Sequence, residues 1–109
     1  MKMTTYKMTL EALGKQAERL RSEIKEQAEI VEAYEDEETA AYRIVLYCEK
    51  MYKEHGEDFG EDLDKAYADY SDASDLRRVA DDLLDDLKDA LEAVNEAQEA
   101  IKKLIAVVL

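Results

Sequence analysis

An apolar residue returns after three positions, then four, then three again, along most of this chain. Starting at Tyr6, the spacing visits Leu10, Leu13, Ala17, Leu20, Ile24, Gln27, Val31, Tyr34, Glu38, Ala41, Val45, Cys48 and Tyr52, and twelve of these fourteen positions are apolar or Tyr. One phase held from 6 to 52 predicts a long helix with a narrow apolar seam, because a turn would usually reset the phase. A second run obeys the same rule. It visits Phe59, Leu63, Ala66, Tyr70, Ala73, Arg77, Ala80, Leu84, Leu87, Leu91, Val94, Gln98, Ile101, Ile105 and Val108, with thirteen of fifteen apolar or Tyr. Between the runs lies "KEHGEDFGEDLD", where Gly56 and Gly60 form the strong breaker pair of the chain. Gly56 suits a left-handed cap that ends the first helix, and Asp58 or Asp62 suits the start of the second.

Two helices of similar length joined by one short loop should fold back as an antiparallel hairpin. The expected fold is a single all-α domain over 1–109, with a helix over about 4–54, a loop over about 55–60 and a helix over about 61–107. If the fold-back is centred near residue 57, facing seam positions have numbers that sum to about 115. Leu10 then faces Ile105, Ile24 faces Leu91, Val45 faces Tyr70 and Tyr52 faces Leu63. The two charged seam residues, Glu38 and Arg77, obey the same sum and should form an ion pair. Such a pair is better evidence for register than for stability, since desolvation can cancel the attraction.

Two segments test helix continuity. "YEDEETAAYR", residues 34–43, sets four acidic side chains between apolar segments but has neither Pro nor Gly. The unbroken phase predicts helix there, kinked at most; a break near 35–39 would use Asp36 or Thr39 as a new cap. At "YSDASD", residues 70–75, Ser and Asp favour local caps over a helix interior.

Apolar surface exceeds what one seam needs. A second stripe runs Leu76, Val79, Leu83, Ala90, Ala97 and Leu104, while Ala40, Ile44, Tyr47 and Met51 flank the first seam. A symmetric dimer forming a four-helix bundle or coiled-coil-like pair, a third helix made by a break near 36–39, or a foreign partner would cover it. The dimer is the expectation, with the second stripe as its interface.

Charge is the other strong signal. The net charge is −13, and it is uneven. Residues 1–54 hold 9 basic and 12 acidic side chains, net −3; residues 55–109 hold 6 and 16, net −10. Direct binding to nucleic acid or an anionic membrane is disfavoured, and a basic protein surface is the favoured partner. From Glu57 to Asp89 there are 13 carboxylates against Lys65, Arg77, Arg78 and Lys88. A helix of that length spans roughly 50 Å, about one carboxylate every 4 Å, against one phosphate every ~3.4 Å on a DNA strand. Eleven of the thirteen are Asp, a poorer helix former than Glu, and its short side chain holds charge close to the backbone.

Enzyme classes find little support. Asp62 and Asp64 alternate as in a calcium loop, yet Ala66, Tyr67 and Ala73 stand where a further ligand, the glycine and the closing Glu belong. His55 is the one histidine, and Tyr52 occupies the Glu position of a Glu-x-x-His metal motif. His55 reads instead as an exposed or C-terminal capping residue. Cys48 lies on the seam as a small buried hydrophobe, about 10 Å along a helix from His55, which is far for a nucleophile and base. "LGK" at 13–15 is no phosphate loop; Gly14 marks close packing or local helix weakness. No catalytic residue, metal site or cofactor is expected. Five of the seven Tyr fall within 42–70, and Tyr47, Tyr52, Tyr67 and Tyr70 are expected to plug the core near the turn, with Tyr42 exposed.

No apolar leader opens "MKMTTYKMTL", and "LIAVVL" is too short to span a bilayer, so a cytoplasmic location is expected. Size, acidity and Tyr content resemble those of phage-borne DNA mimics that block restriction enzymes or CRISPR nucleases; the likeness is one of composition and transfers no residue. The hairpin length also resembles the small secreted hairpin proteins of type VII secretion, whose Trp-x-Gly turn is replaced here by "HGEDFG".

The reading is a non-enzymatic interaction protein. Its acidic face, Asp58, Asp62, Asp69, Asp72, Asp75, Asp82, Asp86 and Asp89, would dock on a basic and possible nucleic-acid-binding surface of a partner protein and occlude it, as a DNA-mimic-like inhibitor does. The alternative is a structural or chaperone-like coiled coil that works through its second apolar stripe.

Overall fold

The computed structural model describes residues 2–109. It is an all-α hairpin. Helix α1 covers Lys2–His55, one 3₁₀ turn covers Gly56–Phe59, and helix α2 covers Gly60–Val108. Both helices run slightly further than the spacing predicted. The 35–39 and 70–75 segments are helical throughout, so the acidic run is a charged belt on α1 and no third helix forms. Absence of Pro and abundance of Ala, Leu, Glu and Lys permit this. A Thr inside α1 is accommodated by its own backbone: the Thr9 hydroxyl donates to the Thr5 carbonyl at 2.9 Å.

The turn is built around Gly56, whose φ of +70° is the one positive value among the described residues. The chain leaves α1 in the left-handed conformation that favours glycine. Gly60, in contrast, has helical φ −61° and ψ −45°, and its N–H donates to the Glu57 carbonyl. The second helix therefore starts at Gly60, and neither Asp58 nor Asp62 caps it. Asp58 lies in the 3₁₀ turn, and Glu61 and Asp62 sit in the first turn of α2, where the helix dipole favours negative charge. Lys53 and His55 occupy the last turn of α1, which favours positive charge. The His55 side chain makes no cap; it is exposed, and its ring lies 5.5 Å from that of Phe59.

Burial follows the predicted seams. In α1, every seam position from Tyr6 to Cys48 is buried or half-buried, and only Tyr52 is exposed; in the second run, only Val108 is exposed. Packing divides into two units. One is Ala28–Asp82 and contains the turn; the other joins the segment ending at Gln27 with Leu83–Leu109. In the second unit, Ala17, Gln27 and Val94 are buried. A Cβ on Gly14 would meet Gln98 Nε2 at 3.9 Å, an ordinary contact, so close packing does not require glycine there.

In the unit holding the turn, Val45, Cys48 and Ala66 form the core, with Leu63 and Tyr70 packed against it. Glu38 and Arg77 meet as the register predicted. The Arg77 Nε donates to both Glu38 carboxylate oxygens at 3.0 Å, and Nη1 donates to Asp81 Oδ2 at 2.7 Å. The bond from Arg77, then one involving Ser74, holds the Glu38 carboxyl below its ordinary range. Glu38 and Asp81 in turn push the Arg77 guanidinium up.

Candidate functional site

The expected tyrosine plug does not form. Of the four candidates only Tyr70 packs on the core; Tyr47, Tyr52 and Tyr67 are exposed. The reason is size and phase. A seam between two helices is filled here by Val, Ala and Cys, and among the described residues no large side chain is fully buried. Tyr47 and Tyr67 fall off the seam positions, onto its flanks. Tyr52 is on the seam but lies beside Gly60, which has no side chain to cover it; a Cβ at position 60 would stand 3.9 Å from the ring. Desolvation, then the Glu49 carboxylate, raises the Tyr67 pKa. Tyr42 is exposed as expected, with its ring 5.5 Å from that of Tyr70.

All eight Asp of the expected docking face are exposed. Asp58, Asp62, Asp69, Asp72, Asp75 and Asp82 belong to the unit with the turn, and Asp86 and Asp89 to the other. Asp75 pairs with Arg78 at 3.4 Å, an exposed contact of small energetic weight. The other seven make no ion pair among the described residues. Asp81, outside that set, is instead committed to Arg77.

The stripe expected as a dimer interface is also open. Leu76 and Val79, in the unit with the turn, are exposed, and Val79 reaches 68%. In the other unit Leu83, Ala90 and Leu104 are exposed and Ala97 is half-buried.

A feature that the spacing did not reveal lies beside the turn. Small Cys48 and Ala66 leave a depression of about 350 Å³ in the surface above them. Ile44, Tyr47 and Phe59 wall it. Asp62, Lys65 and Asp69, on one face of α2, rim it. Ile44 and Tyr47 were visible in the sequence only as flanking apolar residues. What turns them into a groove is the smallness of the two residues between the helices.

Asp62 to Ala73 is helix rather than loop, so the calcium-loop backbone is not formed. Among the described residues no three His, Cys, Asp or Glu side chains stand together as metal ligands would. No described helix is long and apolar enough to cross a membrane. Comparison with protein-family models, with curated proteins and with solved structures finds no match in any of the three.

Proposed function

We propose that the protein is a non-enzymatic interaction module whose acidic residues dock on a basic surface of a partner protein and occlude it, in the manner of a nucleic-acid mimic. The observation that carries this reading is a set of seven exposed Asp side chains that make no ion pair among the described residues, within a chain of net charge −13. Carboxylates without internal partners can pair with a partner's basic groups without breaking an internal ion pair, and what docking costs them is desolvation. In the unit with the turn, Asp62, Asp69, Asp72, Asp75 and Asp82 lie on helix α2, and their short side chains hold charge close to its backbone. Electrostatic steering would make association fast and dependent on salt.

The test is a low-salt pull-down from the native host, read by mass spectrometry, beside a variant with all eight Asp changed to Asn. The captured proteins should be basic, should be displaced by duplex DNA, and should be lost between about 50 and 500 mM salt. The variant should not retain them. Capture of the same proteins by the variant, indifferent to salt, refutes the reading.

A second reading is favoured by the open stripe: a coiled-coil assembly or chaperone-like protein, working as a dimer through Leu76, Val79, Leu83, Ala90, Ala97 and Leu104. Under it, Leu83→Glu with Leu104→Glu abolishes function while the Asn variant is tolerated. The acidic-face reading requires the reverse for the Asp set.

A further inference from the structure

We infer that the groove walled by Ile44, Tyr47 and Phe59 is the anchor of the docking surface, and that its occupant is an amphipathic basic helix of the partner, seated by one or two aliphatic or aromatic side chains with Lys or Arg beside them. This rests on the acidic-face reading and adds a place and a recognition chemistry to it.

Three observations converge. First, Ile44 and Tyr47 are 56% and 61% exposed, one helical turn apart, beside the buried Cys48 and Ala66. They are large apolar groups that the fold leaves uncovered, and Tyr is favoured at interfaces for its combined apolar area and hydroxyl. Second, about 350 Å³ is at the small end of binding pockets, which run from roughly 300 to 1,000 Å³. An open groove of that size admits one or two side chains from a larger body. Third, the rim is acidic. Asp62 and Asp69 stand two helical turns apart, about 10 Å along the axis, and neither makes an ion pair among the described residues. Lys65 between them is the one basic group on the rim; the segment from Glu57 to Asp72 sets seven carboxylates against it.

Recognition of a helix in a groove uses apolar anchors spaced by three or four residues. Basic residues one turn from those anchors would reach Asp62 and Asp69, and a guanidinium could also lie over the exposed Tyr47 ring. A second copy of this chain fits the groove poorly, because it would bring another net charge of −13 against the same rim.

The experiment uses the full chain and two fluorescein-labelled peptides of about 14 residues, four helical turns. One is an amphipathic helix of Leu and Lys; in the other every Leu is Ser, with charge unchanged. Anisotropy at about 50 mM salt gives affinities, and amide shift perturbation gives the location. The Leu/Lys peptide should bind at least tenfold tighter than the Ser/Lys peptide, with shifts centred on Ile44, Tyr47 and Ala66. Ile44→Ser and Tyr47→Ser should each remove most of that advantage while leaving the Ser/Lys affinity and the helical content in place. Leu104→Ser, outside the groove, should change neither. Equal affinity for the two peptides, or shifts centred elsewhere, overturns the groove and leaves the acidic face standing. Failure of both peptides to bind removes the acidic-face reading as well. Protection of Ile44 and Tyr47 by self-association of the free chain would put a second copy in the groove and overturn the assignment.

Discussion

Gly56 and Gly60 stand four residues apart in sequence, and replacing each with Ala should move stability in opposite directions. At Gly56 the backbone has φ +70°, and a side-chain Cβ there would meet nothing within 4 Å. The cost of Gly56→Ala is therefore conformational, with no clash. Left-handed backbone costs an L-residue roughly 1–2 kcal/mol. Stiffening of the unfolded chain returns about 0.4–1 kcal/mol. The net expectation is a loss of about 1 kcal/mol. At Gly60 the backbone is already helical, and the nearest atom to a new Cβ is Tyr52 Cε2 at 3.9 Å. Gly60→Ala should gain about 0.5–1 kcal/mol. For a chain of this size, 1 kcal/mol moves Tm by about 4 °C, so the two variants should melt roughly 6–8 °C apart on either side of the parent. Circular dichroism at 222 nm through a thermal ramp, with urea titration as a second measure, reads the difference. Gly56→Asn should fall between the parent and Gly56→Ala, since Asn tolerates the left-handed region. If Gly56→Ala is as stable as the parent, residue 56 does not carry the reversal of the chain and the turn has been misplaced.

Other outcomes follow from the packing. Val45→Ala, in the core of the unit with the turn, should cost about 2 kcal/mol by urea denaturation, whereas Ile44→Ala, next in sequence but exposed, should change stability by less than about 0.5 kcal/mol. Gly14→Ala should stabilise by about 0.5–1 kcal/mol, since the new methyl fits against Gln98; a loss of stability would mean that the helices approach more closely there. The Glu38 carboxyl has a folded pKa below its unfolded one, so its contribution is present above the ordinary glutamate range and disappears as pH falls through the folded value. The stability advantage of the parent over Glu38→Gln should accordingly be constant near neutrality and shrink in acid; an advantage unchanged down to about pH 2–3 would contradict the pairing with Arg77.

Much of this architecture was legible because the signal behind it is local and repetitive. A 3–4 spacing held in phase marks the buried face of a helix wherever it occurs, and two such runs around one glycine pair leave few alternatives. The pairing of Glu38 with Arg77 follows from position numbers alone. What depends on the sizes of residues brought together from different parts of the chain was not legible. Crowding of the tyrosines near the turn points to a core plug, but phase and the size of the seam decide their burial, and three of four are exposed. The groove needs Cys48 and Ala66 to meet as two small neighbours, and no periodicity reports that. Helix starts at a 3₁₀ turn are also ambiguous in sequence, since Asp58 and Asp62 are both good caps that the backbone does not use.

The ion pair within the seam has a consequence for assembly of the hairpin. Apolar positions repeating every seven residues would accept one another after a slide of a full heptad, so greasy contacts alone leave several alignments close in energy. A slide of one heptad toward α2's C-terminus would nevertheless set Glu38 against Leu84 and Arg77 against Val45, leaving the carboxylate facing an apolar side chain and the guanidinium with Asp81 alone. The charged couple thus acts as an index mark: it adds little grip, but it makes the shifted alignments expensive and leaves one that is not.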